Sequence, residues 1–260
     1  MLTLAIANHK GGVGKTATAR ALADCLAGAG LRVLLVDSDH QGSLTLSCGV
    51  PDPNPCLANV YGVGGRPALP LAKVTRAISK GLDLAPASLA LAAADVEIVS
   101  RPGREFILAD ALASVAGGYD VALVDCPPAL GQLVINALCA ANSVLIPTQP
   151  GPVDLAGVKM FLETVDAIRA NRRLNPNLTV FGVLLTFYDP RLKTHQGGRR
   201  AMLTAGWPVL PMTIPRSVRV AESAAVGESI ETFDPKNPAA AGYAQLGEVV
   251  RLWLTKSGKQ

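Results

Sequence analysis

Asn8-His9-Lys10-Gly11-Gly12-Val13-Gly14-Lys15-Thr16 lies between an apolar run, residues 2–7, and an alanine- and leucine-rich run that begins at Ala17. The order reads as strand, phosphate-binding loop, helix. Gly11, Gly12 and Gly14 carry no Cβ, so the backbone can turn its N–H groups toward an anion, and a helix opening near Lys15 adds the positive end of its dipole. In that geometry Lys15 reaches the β- and γ-phosphates of a nucleotide, and the Thr16 hydroxyl reaches a Mg²⁺. The strict pattern G-x-x-x-x-G-K-[ST] is nevertheless broken, because His9 stands at its first glycine and a second lysine, Lys10, follows. His9 itself reads as a loop residue.

Around this loop the chain has the make-up of an α/β domain. Its 260 residues can bury a sizeable core, and aromatics are scarce at 4%, as suits small-residue helices packed on a parallel sheet. The five cysteines form no C-x-x-C pair, which implies a reducing cytoplasm rather than a disulfide framework or a zinc site. No run of 18 or more apolar residues occurs. Residues 1–150 carry 10 Lys+Arg against 11 Asp+Glu, whereas residues 151–260 carry 14 against 9, so the basic surplus lies in the C-terminal part. Such asymmetry points to an anionic partner or to a solvated basic face.

Residues 17–29 have high helix propensity and end at Gly28 and Gly30. Residues 31–36 read as a strand that delivers Asp37-Ser38-Asp39-His40-Gln41-Gly42, where the period of two sends Asp37 and Asp39 to one side. These carboxylates either face one site or cap the following turn. The proline-rich residues 50–70 read as an irregular surface connection. Helices are expected over 89–99 and 104–116, and a strand over 119–124 that ends in Asp125-Cys126-Pro127-Pro128. Beyond it come a helix at 132–140, a strand at 143–147, a helix at 155–170, a strand at 179–186 and a last helix at 242–254. The alternation implies one α/β domain over 1–260, a mostly parallel twisted sheet with helices on both faces, every strand named here running parallel. Ligands in such sheets bind at the carboxyl ends of the strands, where the loop, Asp37, Asp39 and Asp125 converge.

The loop resembles the deviant Walker A motif, K-G-G-x-G-K-[ST], of the ParA/MinD family of dimerising P-loop ATPases. The resemblance implies ATP and Mg²⁺ as cofactors, held by Lys10, Gly11, Gly12, Val13, Gly14, Lys15, Thr16 and Ala17. It also implies an ATP-sandwich homodimer in which Lys10 crosses to the nucleotide of the other subunit. Asp37-Ser38-Asp39-His40-Gln41 resembles the family's D-x-D-P-Q, which puts Asp37 near the Mg²⁺ and makes Asp39 the group that orients the attacking water; His40 replaces the usual proline. Asp125-Cys126-Pro127-Pro128 resembles the family's D-x-P-P, so that Asp125, like Asp37, would hold Mg²⁺ through water beside Thr16. Lys10, Lys15 and Asp39 are the implied catalytic residues, and Cys126 receives no role.

Residues 185–191 and 214–222 resemble ParA-type partition ATPases specifically, which sets Pro215 and Ser217 against the adenine, with Ser217 where asparagine is usual. The implied function is a slow, partner-stimulated ATPase switch that binds DNA non-specifically as a dimer and drives partition or positioning of a chromosome, plasmid or other cargo. The stimulating partner would be a ParB-type or cargo-adaptor protein, and the location the cytoplasm, on the nucleoid. Arg191, Lys193, Arg199, Arg200, Arg216 and Arg219 face a single acid, Asp189, between residues 189 and 219, and are the candidate DNA contacts. The chain opens on its first strand, so no additional N-terminal DNA-binding domain is expected. A MinD-like membrane-cycling ATPase is the alternative, but residues 242–254 carry only Arg251 as a basic residue, which argues against a membrane-targeting helix. A third possibility is an electron-transfer protein like the nitrogenase iron protein.

Overall fold

A computed structural model describes residues 1–257. Eight strands, β1 (Leu2–Ile6), β2 (Val33–Asp37), β3 (Arg76–Ser79), β4 (Leu82–Ala85), β5 (Val121–Asp125), β6 (Ser143–Thr148), β7 (Thr179–Thr186) and β8 (Val209–Ile214), form one sheet. The order is β3-β4-β2-β5-β1-β6-β7-β8. β2, β5 and β6 are buried along their whole length, as expected of parallel strands covered on both faces. Alternate residues serve opposite cores. Leu4, Ile6, Val33 and Leu35 pack toward helices Lys15–Gly28 and Pro238–Ser257, while Ala5, Leu34 and Val36 face the helices Ile107–Val115, Gln132–Ala140 and Pro152–Ala170.

Three features differ from the expectation. β3 runs antiparallel to β4 at the sheet edge, so the sheet is not parallel throughout. Lys80 and Gly81 make the turn, and Gly81 sits at φ 79° with no room for a Cβ, which would lie 3.0 Å from the Leu31 carbonyl oxygen. The proline-rich segment is not a mere surface connection either. It contains a helix, Leu57–Tyr61, whose Leu57, Ala58 and Tyr61 are buried in the main core. Toward the C-terminus, the helix Lys193–Thr204 and β8 continue the alternation beyond the strands assigned from sequence.

The register fixes where the chemistry sits. Asp125 at the end of β5 pairs with Asp37 at the end of β2 and with Ile6 at the end of β1, so both aspartates and the loop after β1 emerge at one edge.

On the far flank of helix Lys15–Gly28, the Cys25 thiol donates to Glu231 Oε1 at 3.4 Å, with Asp24 beside it. Burial pushes the Glu231 carboxyl from its ordinary 4.5 up to about 7. The folded protein thus keeps a proton that the unfolded chain loses near pH 4.5, and stability falls as pH rises from there through about 7. Glu231→Gln removes this loss. The variant is expected to match the parent in urea unfolding near pH 4 and to exceed it by about 2 kcal/mol at pH 8.

Candidate nucleotide-binding site

The loop after β1 is built as its glycines require. Gly12 and Gly14 adopt φ of 71° and 84°, a left-handed conformation that side-chain-bearing residues rarely take. Gly14 opens helix Lys15–Gly28 with no side-chain cap, and no acidic residue occupies the first turn. The helix N-terminus is therefore left bare for an anion. Three contacts brace the loop from behind: Asn8 Nδ2 donates to the Pro147 carbonyl at 2.8 Å, the Lys10 N–H donates to Asn8 Oδ1 at 3.2 Å, and Thr186 Oγ1 donates to the Val13 carbonyl at 2.8 Å. Lys15 is buried, and its ammonium donates to the Lys10 carbonyl at 3.0 Å across the mouth of the loop. Burial lowers its pKa, and the charge of Asp125 opposes that shift.

His9 packs edge-on against Phe161, centroids 5.0 Å apart, with Nε2 3.3 Å from Thr164 Oγ1, as befits a loop residue. Lys10 extends the other way. Its Nζ lies 2.8 Å from Oδ1 of Asp154, a buried carboxylate in the first turn of helix Pro152–Ala170, while 40% of the lysine side chain remains exposed. Gly151 permits this placement, since a Cβ there would lie 2.7 Å from Asp154 Oδ2. No sequence signal marked Asp154, which is distant in the chain and belongs to none of the motifs.

The acidic side of the site is Asp125, Asp37 and Asp39. Thr16 Oγ1 donates to Asp125 Oδ2 at 2.7 Å, and Asp125 Oδ1 is buried without a hydrogen-bond partner. Asp37 accepts from the Thr45 N–H at 2.8 Å and the Thr45 hydroxyl at 2.7 Å through Oδ2, and from the Asp39 N–H at 3.2 Å through Oδ1. It thus caps the turn after it, and lies close enough to Asp125 for its charge to act there. Burial pushes Asp37 up to about 6. Asp125 is raised well above the carboxylate range by burial and then by the charge of Asp37.

Two neighbouring carboxyl groups in a dry pocket, one with an orphaned oxygen, and a threonine hydroxyl suit a hard divalent cation. Mg²⁺ takes oxygen ligands, keeps several waters and needs only one or two carboxylates when phosphates complete its shell. The residues present fit it, with Thr16 and Asp125 innermost. Cys126 is fully buried with its thiol pushed up, chiefly by burial, and offers no nucleophile.

Beside the loop opens a cavity of about 310 Å³, with a largely apolar lining. Thr16, Ala17, Pro215 and Ser217 all line it, so the structure brings the C-terminal segment to the loop as expected. Phe187 and Val220, from the two segments quoted above but given no role there, also line it, as does Ile230, which the sequence did not mark. Phe187 holds φ 51°, the single positive value among non-glycine residues described, and Arg216 stacks on its ring at 4.9 Å. The cavity size and its apolar walls suit a nucleoside whose phosphates rest on the loop.

The basic residues are less free than a count of charges implies. Arg191 makes a two-point bond to Asp189 at 3.0 and 2.8 Å. Arg219 pairs with Glu222 at 2.6 Å and Asp234 at 3.5 Å, over the Phe233 ring, and both acids lie outside residues 189–219. Lys193 and Arg200 stand exposed on helix Lys193–Thr204 with no ion pair among the described residues; Arg199 on the same helix is half-buried.

Residues 1–180 match the family described as AAA domain. The chromosome partitioning protein ParA of Myxococcus xanthus is 39% identical over 261 residues, covering 99% of this chain and 90% of its own. The sporulation initiation inhibitor protein Soj of Bacillus subtilis is 39% identical over 252 residues, 95% of this chain and 97% of its own. Among solved structures, cobyrinic acid a,c-diamide synthase from Mycobacterium smegmatis with bound ATP analog and magnesium is 34% identical, with a TM-score of 0.84 over 99% of this chain and 97% of that one. Identity of this extent with partition proteins, together with the two-lysine loop and the paired aspartates, establishes that the chain belongs to the ParA-type partition ATPases of the ParA/MinD family.

Proposed function

We propose that this protein is an ATP-driven switch that dimerises on Mg-ATP, holds DNA without regard to sequence while dimeric, and lets go when a partner triggers hydrolysis. The observation that carries this is the pairing of Lys15 inside the loop with Lys10 outside it, a part-exposed lysine tethered to the buried Asp154. One lysine serves its own nucleotide, and the other is placed to serve a neighbour's once it leaves Asp154.

Hydrolysis of ATP to ADP and phosphate needs charge neutralisation and a water in line with the leaving group, with little covalent work by the protein. Lys15, Lys10 and the backbone N–H groups of Gly11 to Thr16 neutralise the phosphates, and Asp39 orients the water. Thr16 and Asp125 would hold Mg²⁺, with Asp37 behind them, and the ion would supply further positive charge to the nucleotide's phosphates. Turnover without a partner should be slow, roughly 10⁻⁴ to 10⁻² per second as in other P-loop switches. A ParB-type or cargo-adaptor protein is the expected accelerator. The mycobacterial relative is a cobyrinic acid a,c-diamide synthase; the higher identity to partition proteins favours the switch for this chain.

Two copies of the basic surface, side by side, contact enough phosphates for ATP-dependent retention on the nucleoid. With about six phosphates neutralised per dimer, log K should fall with log salt at a slope of roughly −5. Exposed ion pairs such as Arg191–Asp189 are screened by water and contribute little, so phosphate can displace the acid. The double variant Lys193→Glu, Arg200→Glu is expected to keep ATP binding and dimerisation while losing roughly 10-fold or more in DNA affinity, equally across sequences. Gel shifts on two unrelated duplexes check it.

Among the described residues no helix is long and apolar enough to cross a membrane. Co-sedimentation with duplex DNA and, separately, with anionic vesicles tests the proposal against membrane cycling. The switch reading expects ATP-dependent pelleting with DNA alone. Pelleting with vesicles and not with DNA would replace it.

A further inference from the structure

We infer that the short loop Gln149-Pro150-Gly151 carries the state of Lys10 to the basic helix Lys193–Thr204, with Gly198 as the positioning residue on the helix side. The inference rests on the function proposed above, in which Lys10 leaves Asp154 on dimerisation and the basic helix meets DNA. Two copies side by side add their phosphate contacts in any case. The loop gives each single subunit a further reason to hold its helix differently once its Lys10 has moved.

The loop spans only the gap between the end of β6 at Thr148 and Pro152, the first residue of helix Pro152–Ala170, and it is gripped at three points. Gln149 Nε2 donates to the carbonyl of Gly12 in the phosphate loop at 3.4 Å. The Gly151 carbonyl accepts the N–H groups of Asp154 and Leu155 at 3.1 Å each, and Asp154 Oδ2 lies over Gly151 itself. Between them Pro150 is buried, and its carbonyl oxygen sits against Gly198, where a Cβ would overlap it. Backbone therefore meets backbone at this point, with no side chain to take up slack. Gly197 and Gly198 both weaken the helix interior; the close approach accounts for Gly198, while a Cβ on Gly197 would meet nothing.

The trigger is the pair at the loop's far end. Asp154 is only 6% exposed, and Lys10 is its one ion-pair partner among the described residues. Withdrawal of the lysine leaves a buried carboxylate uncompensated, so the acid and the turn beneath it must readjust. On the receiving side the basic groups are joined to the helix. The Asp189 N–H donates to His195 Nδ1 at 3.0 Å, and Asp189 in turn holds Arg191. A shift of the helix at Gly198 thus moves Lys193, Arg200 and Arg191 together.

The test follows amide hydrogen exchange in the full-length protein without nucleotide or DNA, so that no second copy contributes. Lys10→Ala is expected to change exchange in residues 149–154 and in helix Lys193–Thr204 by roughly 3- to 10-fold, and to leave helix Ile107–Val115 unchanged. In a Gly198→Ala background, where the helix is already pushed off the loop, adding Lys10→Ala should change the basic helix by less than about 1.5-fold. Unchanged exchange in the basic helix after Lys10→Ala overturns the inference, whether or not residues 149–154 respond. A full-sized response in the Gly198→Ala background overturns it as well. The Lys10→Ala comparison decides alone should Gly198→Ala fail to fold. DNA binding by the wild-type dimer is read separately by gel shift, and its absence would sink the proposed function without altering the exchange result.

Discussion

Lys15→Ala is expected to abolish nucleotide binding, with ATP affinity falling roughly 100-fold or more in a direct titration. The Lys15 ammonium is buried at the mouth of the loop and already reaches across it to the Lys10 carbonyl. Alanine there removes a cation whose burial is offset only when phosphate or carboxylate faces it. Lys10→Ala should behave otherwise. Its side chain is directed out of the loop to Asp154, so ATP affinity should change by no more than about threefold while ATP-dependent dimerisation and turnover are lost. Sedimentation and ATPase assays on the two variants separate the roles, and a Lys10→Ala protein that dimerises and turns over normally contradicts the assignment.

Asp39→Ala should bind Mg-ATP and accumulate as a dimer, with turnover reduced about 10²- to 10⁴-fold, the usual worth of a positioned acid–base group. Its carboxylate neither bonds Thr16 nor Asp125, so the cation pocket survives the change. Asp125→Ala breaks that pocket instead. It removes the partner of Thr16 and should raise the Mg²⁺ concentration needed for tight ATP binding, measured by titrating ATP at several Mg²⁺ levels. Equal turnover in Asp39→Ala and wild type would take Asp39 out of the mechanism.

The central site was legible because its groups lie at strand ends within short motifs. Lys10 to Thr16, Asp37 to Asp39 and Asp125 each follow an apolar strand, and parallel pairing of β1, β5 and β2 then brings them to one edge. Elements lacking that periodicity were lost. β3 is four residues of edge strand with an irregular register, and the helix Leu57–Tyr61 is a single turn hidden among prolines that signal loop. Asp154 was invisible for another reason: its place depends on tertiary contact with Lys10, which leaves no local pattern. The charge count over residues 189–219 overlooked Glu222 and Asp234 for the same reason, since folding brings them to Arg219 from outside that stretch.

Sedimentation velocity of the wild-type protein with Mg²⁺ and either ADP or a non-hydrolysable ATP analogue tests the switch most directly. The expected result is a monomer with ADP and a dimer with the analogue, the dimer vanishing in Lys10→Ala. A wild-type protein that binds the analogue fully and still sediments as a monomer would contradict the account.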